Sequence, residues 1–210
     1  MRPVRIGPSD TVVRHGPDGV IYMESPHPLG PYDTKITERL DRWASEAPDR
    51  TYLAERGADG EWRRVSYAEA RQTVRNLAQA ILDRGLSPQR PVVILSGNSI
   101  DHALLALASM YAGVLYAPIA PAYSLQAREF TTLRQIFARM EPGLVFAADG
   151  AAFERALTEA LPAGCELVVS TSAPASIPST APTSCPMRRA TAPLSSRTRL
   201  RRLGRTESGS

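Results

Sequence analysis

The chain has 210 residues, two cysteines and an ordinary 43% of hydrophobic residues. That suits one domain with appendages and excludes a disulfide framework or a four-cysteine zinc site. The net charge of +4 is unevenly placed: Arg188, Arg189, Arg197, Arg199, Arg201, Arg202 and Arg205 stand against one acid, Glu207, so residues 1–169 come out mildly acidic and nucleic acid is not expected as a partner.

Residues 1–33 are rich in Pro and Gly and lack periodicity. They read as an extended N-terminal arm, with a short strand at Val20, Ile21 and Tyr22 and proline-fixed backbone over residues 25–32. The leader MRPVRIGPSDTVVRHG has no apolar core of signal-peptide length, and the cysteine usage fits a reducing compartment, so a cytoplasmic protein is expected. Ile36, Leu40, Trp43, Ala44 and Ala47 then recur at helical spacing, with Asp33 or Thr34 as the expected cap and Pro48-Asp49 as the stop. Thr51 to Glu55 and Glu61 to Val65 read as a hairpin turning through Gly57 and Gly60. Ser66-Tyr67-Ala68-Glu69 is a capping box, in which side chain and backbone satisfy each other's orphan donors. Ala70, Val74, Leu77, Ala78 and Ile81 give the buried stripe of the helix it opens, and Gly85 ends it.

Residues 91–121 are the organising unit. Val92, Val93, Ile94 and Leu95 form an apolar, β-branched run that suits a strand buried on both faces. Gly97, Asn98 and Ser99 make the turn, with Ser99 or Asn98 as helix cap. Ile100, Ala103, Leu104, Leu107, Ala108 and Tyr111 form one apolar stripe, with Asp101 favoured in the first turn by the helix dipole. Gly113 stops the helix, and Val114 to Ile119 returns as a second strand, also expected to be buried. Residues 103–123 carry no charge, but Gly113, Pro118 and Pro121 divide them, so no membrane span is expected.

Further on, Ser124 is the expected cap of a helix with Phe130, Leu133, Ile136, Phe137 and Met140 on its apolar face. Leu144 to Ala148 reads as a strand, Asp149-Gly150 as a turn, Phe153 to Ala160 as a helix and Leu167 to Val169 as the last strand. The alternation predicts an α/β fold, a mostly parallel sheet with helices on both faces, over residues 34–169.

The wording GNSIDHALLALASMYAGVLYAPIAPAYS, with Ala112, Gly113, Tyr116, Pro118 and Pro121, resembles an early motif of the adenylate-forming, AMP-binding ligases. These are the acyl- and aryl-CoA synthetases, luciferases and peptide-synthetase adenylation domains. VSYAEA resembles the superfamily's first short motif, and the proline-rich leader is similar to that of the feruloyl-CoA synthetase branch. The resemblance covers about residues 20–169, the N-terminal part only. It implies an ATP-dependent acid–CoA ligase in which a small aromatic or aliphatic carboxylic acid attacks ATP. An acyl-adenylate and pyrophosphate form, and the thiol of coenzyme A then displaces AMP. ATP, Mg²⁺ and coenzyme A are the cofactors this implies for the full-length family, and no tight binding of them is expected from this stretch.

The chemistry such a reaction needs is positive charge and backbone donors where phosphate charge develops. The sequence has no Gly-rich loop followed by lysine, and its sole lysine, Lys35, lies in the leading helix. No catalytic residue and no metal ligand are assigned: His15, His27 and His102 are scattered, adjacent Asp101 and His102 point apart on a helix, and Cys165 and Cys185 have no visible activating partner. Ser96 to Ser99 and Tyr123-Ser124 follow strand ends, where open α/β sheets bind ligands, and are candidate cleft-lining residues. Residues 170–210, mostly Ser, Thr, Pro, Ala and Arg, read as a disordered basic tail. Of 25 Lys and Arg residues one is lysine, which suggests GC-rich coding DNA, so out-of-frame sequence is the favoured origin of that tail and a natural flexible tail the alternative. The leading reading is a truncated feruloyl-CoA synthetase-like ligase, inactive as this stretch and prone to self-association. The alternatives are a non-catalytic α/β binding module with a basic tail, or one half of a split ligase.

Overall fold

The computed structural model describes residues 8–171; Cys185 and the expectations for the basic tail lie outside the described residues. The chain divides into two units, residues 1–39 and 40–210.

In the first unit, β1 (Val12–His15) pairs antiparallel with β2 (Ile21–Glu24) around a one-turn helix at Pro17–Gly19. The second strand was expected at Val20 to Tyr22; its partner was not, because TVVRH has no alternation to mark it. Both strands are exposed along their whole length. Arg14 pairs with Glu24 at 3.1 Å, and His27 Nε2 lies 3.1 Å from an Asp10 carboxylate oxygen. α1 (Ile36–Glu46) begins in this unit. Thr34 does not cap it as an acceptor. Its N–H and hydroxyl instead donate to Glu38, at 3.2 and 3.0 Å.

The second unit is built as expected on a parallel sheet. A hairpin, β3 (Thr51–Arg56) with β4 (Trp62–Ser66), leads into α2 (Tyr67–Asp83). The capping box is complete: Ser66 Oγ accepts the Glu69 N–H at 3.3 Å, and Glu69 accepts the Ser66 N–H at 2.8 Å. The buried residues of α2 are Ala70, Val74, Leu77, Ala78 and Ile81, the predicted stripe. Then come β5 (Val92–Leu95), α3 (Ile100–Ala112), β6 (Tyr116–Ile119), α4 (Thr131–Met140), β7 (Leu144–Asp149), α5 (Glu154–Ala160) and β8 (Glu166–Thr171). Gly113 ends α3 at φ +68, a left-handed conformation in which glycine carries no Cβ penalty.

The sheet order is β6-β5-β7-β8, all parallel. Side chains alternate across it. Val92, Ile94, Leu144 and Phe146 pack with α2 and α3, while Val93, Leu95, Val145 and Ala147 pack with α4 and α5. Each such side chain contributes on the order of 1.5–3 kcal/mol on burial, so this double-sided layer holds the unit together. No helix among the described residues is long and apolar enough to cross a membrane.

Three expectations need correction. β6 is not a buried strand: Leu115 is 59% exposed, Pro118 is exposed and only Ile119 is buried. It lies at the sheet edge, where a proline without an N–H is tolerated. Ser124 does not cap α4, which starts at Thr131 with no side-chain cap; Pro121 instead folds a one-turn helix over Pro121–Tyr123 that ends on Ser124. The last strand does not stop at Val169, because Asp149 and Thr171 still pair across β7 and β8.

Candidate functional site

The order of the strands locates a crevice. The chain moves from β5 through α3 to β6 on one side, then returns through α4 to β7 on the other side of β5. Connections that diverge in this way leave open space beyond the C-terminal ends of the two strands, where open α/β sheets bind ligands. The candidate residues Ser96 to Ser99 sit there, after β5, and Tyr123-Ser124 follow β6.

The Ser96–Ser99 loop is bonded inward. Buried Ser96 donates its hydroxyl to the Gly97 carbonyl at 2.8 Å and lies 3.3 Å from the Ser99 hydroxyl. Ser99 Oγ accepts the His102 N–H at 3.1 Å and is the N-cap of α3, as expected. His102 is a structural tie, its Nδ1 donating to the Gly97 carbonyl at 3.1 Å. Ser124 is buried and weakly donates to the Pro121 carbonyl, whereas Tyr123 and Asn98 face solvent.

Beside this loop lies a charged network that sequence reasoning missed. Glu55 of β3 accepts the Ile100 N–H at 2.7 Å, closing the N-terminus of α3 from outside the helix. Its other oxygen pairs with Arg63 of β4 at 2.9 Å. Arg63 reaches on to Asp101 at 3.1 Å, and the second Asp101 oxygen accepts the Ser170 hydroxyl of β8 at 2.5 Å. One carboxylate–guanidinium–carboxylate chain thus ties hairpin, helix and last strand together. Glu55 and Arg63 face each other in the hairpin register, so their pairing was readable from the two strands. The links to Ile100, Asp101 and Ser170 span 38 to 69 residues and leave no local signal. Nearby, Asp149 accepts the Ala151 and Ala152 N–H groups at 3.0 and 3.1 Å, and Thr171 donates to the Ala148 carbonyl at 3.0 Å.

The network at the Ser96–Ser99 loop does not fit a magnesium–nucleotide. A triphosphate needs free cationic and backbone donors. The guanidinium of Arg63 is held by two carboxylates, and the Ile100 and His102 amides at the start of α3 are taken by Glu55 and Ser99. Among the described residues no group of three or more His, Cys, Asp or Glu could hold a metal. Cys165 lies at the opposite end of the sheet, where burial first of all pushes its thiol up to about 11 and away from the reactive thiolate.

A family model described as AMP-binding enzyme matches residues 40–195. Tyrocidine synthase 1 of Brevibacillus parabrevis is 32% identical over 95 residues, which cover 44% of this chain and 8% of that protein. The probable non-canonical nonribosomal peptide synthetase CymA of Salinispora arenicola is 27% identical over 101 residues, 48% of this chain and 1% of that protein. Among solved structures, CmiS6 is 25% identical with a TM-score of 0.53, covering 69% of this chain and 35% of that one. The acyl-CoA synthetase of Brucella canis is 18% identical with a TM-score of 0.54, covering 71% and 25%. The chain therefore spans a small part of the relatives it matches.

Proposed function

The chain belongs to the AMP-binding enzyme family, and from that premise we propose that it is the N-terminal scaffold of a feruloyl-CoA synthetase-like acid–CoA ligase, unable by itself to activate an acid. Relatives in this family are adenylate-forming ligases that use ATP and act on carboxylic acids. The carrying observation is the C-terminal edge of the sheet. The crevice is formed, but the guanidinium of Arg63 and the N-terminus of α3 are spent on holding β3, β4, α3 and β8 together. Neither is left to meet phosphate charge, so on this reading the loop, nucleotide-binding groups and catalytic lysine that the reaction needs are supplied by sequence other than residues 8–171.

The arginine-rich composition beyond residue 170 supports out-of-frame coding sequence there. The family match to residue 195 weighs against a change at residue 170 itself and favours a later one. Reading the coding DNA beyond codon 170 in all three frames tests this. A Ser/Thr/Gly-rich loop followed by lysine in another frame is the expected result; its absence from every frame overturns the frame-change reading. The frame-restored protein is then assayed for CoA-ester formation with ferulate, coumarate and aliphatic acids. Ferulate and coumarate are expected to be preferred, and activity on aliphatic acids alone would refute the feruloyl assignment. Among the described residues β6 and β8 are the edge strands of the sheet, which favours self-association of the 210-residue chain, measurable by sedimentation velocity.

A further inference from the structure

The sheet has a second end, and it is open. Below the N-terminal ends of β7 and β8 lies a cavity of about 570 Å³, within the size range of small-molecule sites. Phe137 and Pro162 form part of its apolar lining, together with the half-buried thiol of Cys165, which donates to the Pro142 carbonyl at 3.2 Å.

The charges around this cavity are of both signs. Arg90 and Arg134 line it, and each uses one N–H on a backbone carbonyl, Gly85 at 3.4 Å and Glu159 at 3.1 Å; Arg134 also lies 3.9 Å from the Glu159 carboxylate, at the cavity's edge. A guanidinium carries five donors in a planar fork that matches a carboxylate, so both retain donors for a ligand. Glu141 also lines the cavity, directly after α4, and α5 ends beside it at Ala160. Helix C-termini carry roughly half a negative charge each, so with Glu141 they offset the arginines and favour a cationic group. A simple anion gains little net attraction from this balance. A molecule carrying one charge of each sign uses all of it.

We propose that this cavity binds a small zwitterion with an apolar body, such as a free amino acid, with its carboxylate on the arginines, its ammonium towards Glu141 and the helix C-termini, and its side chain on Phe137 and Pro162. The site lies at the end of the sheet opposite the crevice, so the proposal is independent of the ligase reading.

The test uses Cys165 as the reporter, in the full chain with Cys185→Ser. Alkylation of Cys165 is followed with L-phenylalanine, with hydrocinnamate, which lacks the ammonium, and with phenethylamine, which lacks the carboxylate. L-Phenylalanine is expected to slow alkylation about tenfold at saturation, and the two single-charge analogues far less at the same concentration. Arg90→Gln with Arg134→Gln should abolish the protection. Should that variant lose its circular dichroism, Ala163→Trp fills the mouth from an exposed position and should remove any ligand-dependent change. No slowing by L-phenylalanine, equal slowing by all three compounds, or slowing that survives Ala163→Trp overturns the proposal.

Discussion

β5 and β6 lie side by side in one sheet, paired in parallel from Val92 with Tyr116 to Leu95 with Ile119. Val92, Val93, Ile94 and Leu95 are all 0% exposed, whereas Leu115, just before β6, is 59% exposed and Pro118 faces outward. Both runs are apolar, and both read from sequence as buried. Position in the sheet, not composition, separates them: β5 has a strand on each side and helices on each face, and among the described residues β6 has one neighbour. The centre therefore carries the stability, and chemistry has to be added at the strand ends.

Core substitutions sharpen that difference most. Phe146→Ala, at a fully buried position of β7, should cost about 3–5 kcal/mol in urea unfolding. Leu115→Ala should stay within about 0.5 kcal/mol. Equal losses would erase the distinction between centre and edge.

The crevice network is expected to matter less than the core. Asp101→Ala removes the partner of Arg63 and Ser170 and should cost about 1–3 kcal/mol. Hydrogen exchange should quicken at β8 while β5 keeps its protection. A neutral result would mean that the network is not what holds β8. Ser66→Ala breaks the capping box and should cost about 1 kcal/mol.

The smallest effect depends on pH. Burial, reinforced by a hydrogen bond to Asp41, raises Tyr111 from 10.0 to about 12. The fold favours the neutral phenol, so its contribution is complete below the unfolded value and is lost as pH rises from 10 towards 12. Tyr111→Phe should flatten that part of the stability–pH curve; an unchanged slope would refute the assignment.

Local periodicity made most of the fold legible. The α2 stripe, the capping box, the Gly113 stop and the β5 run depend on residues close in sequence, and the structure keeps each of them. What failed depended on distant neighbours. The exposure of Leu115 follows from strand order, and β1 exists because β2 pairs with it. Ser124 has the chemistry of a cap, but Pro121 takes the chain into a separate turn first. At the crevice, Ser99 was legible as a cap, while the reach of Asp101 to Ser170, 69 residues away, was not.

ATP–pyrophosphate exchange by the purified 210-residue chain tests the central claim most directly. Ferulate, coumarate and an aliphatic acid are supplied with Mg²⁺-ATP and labelled pyrophosphate. Loss of even one preorganised donor costs about 10²–10³ in rate, and here Arg63 is already held by two carboxylates. Exchange is therefore expected to equal that of a no-enzyme control. Exchange above that control, dependent on added acid, would contradict the account.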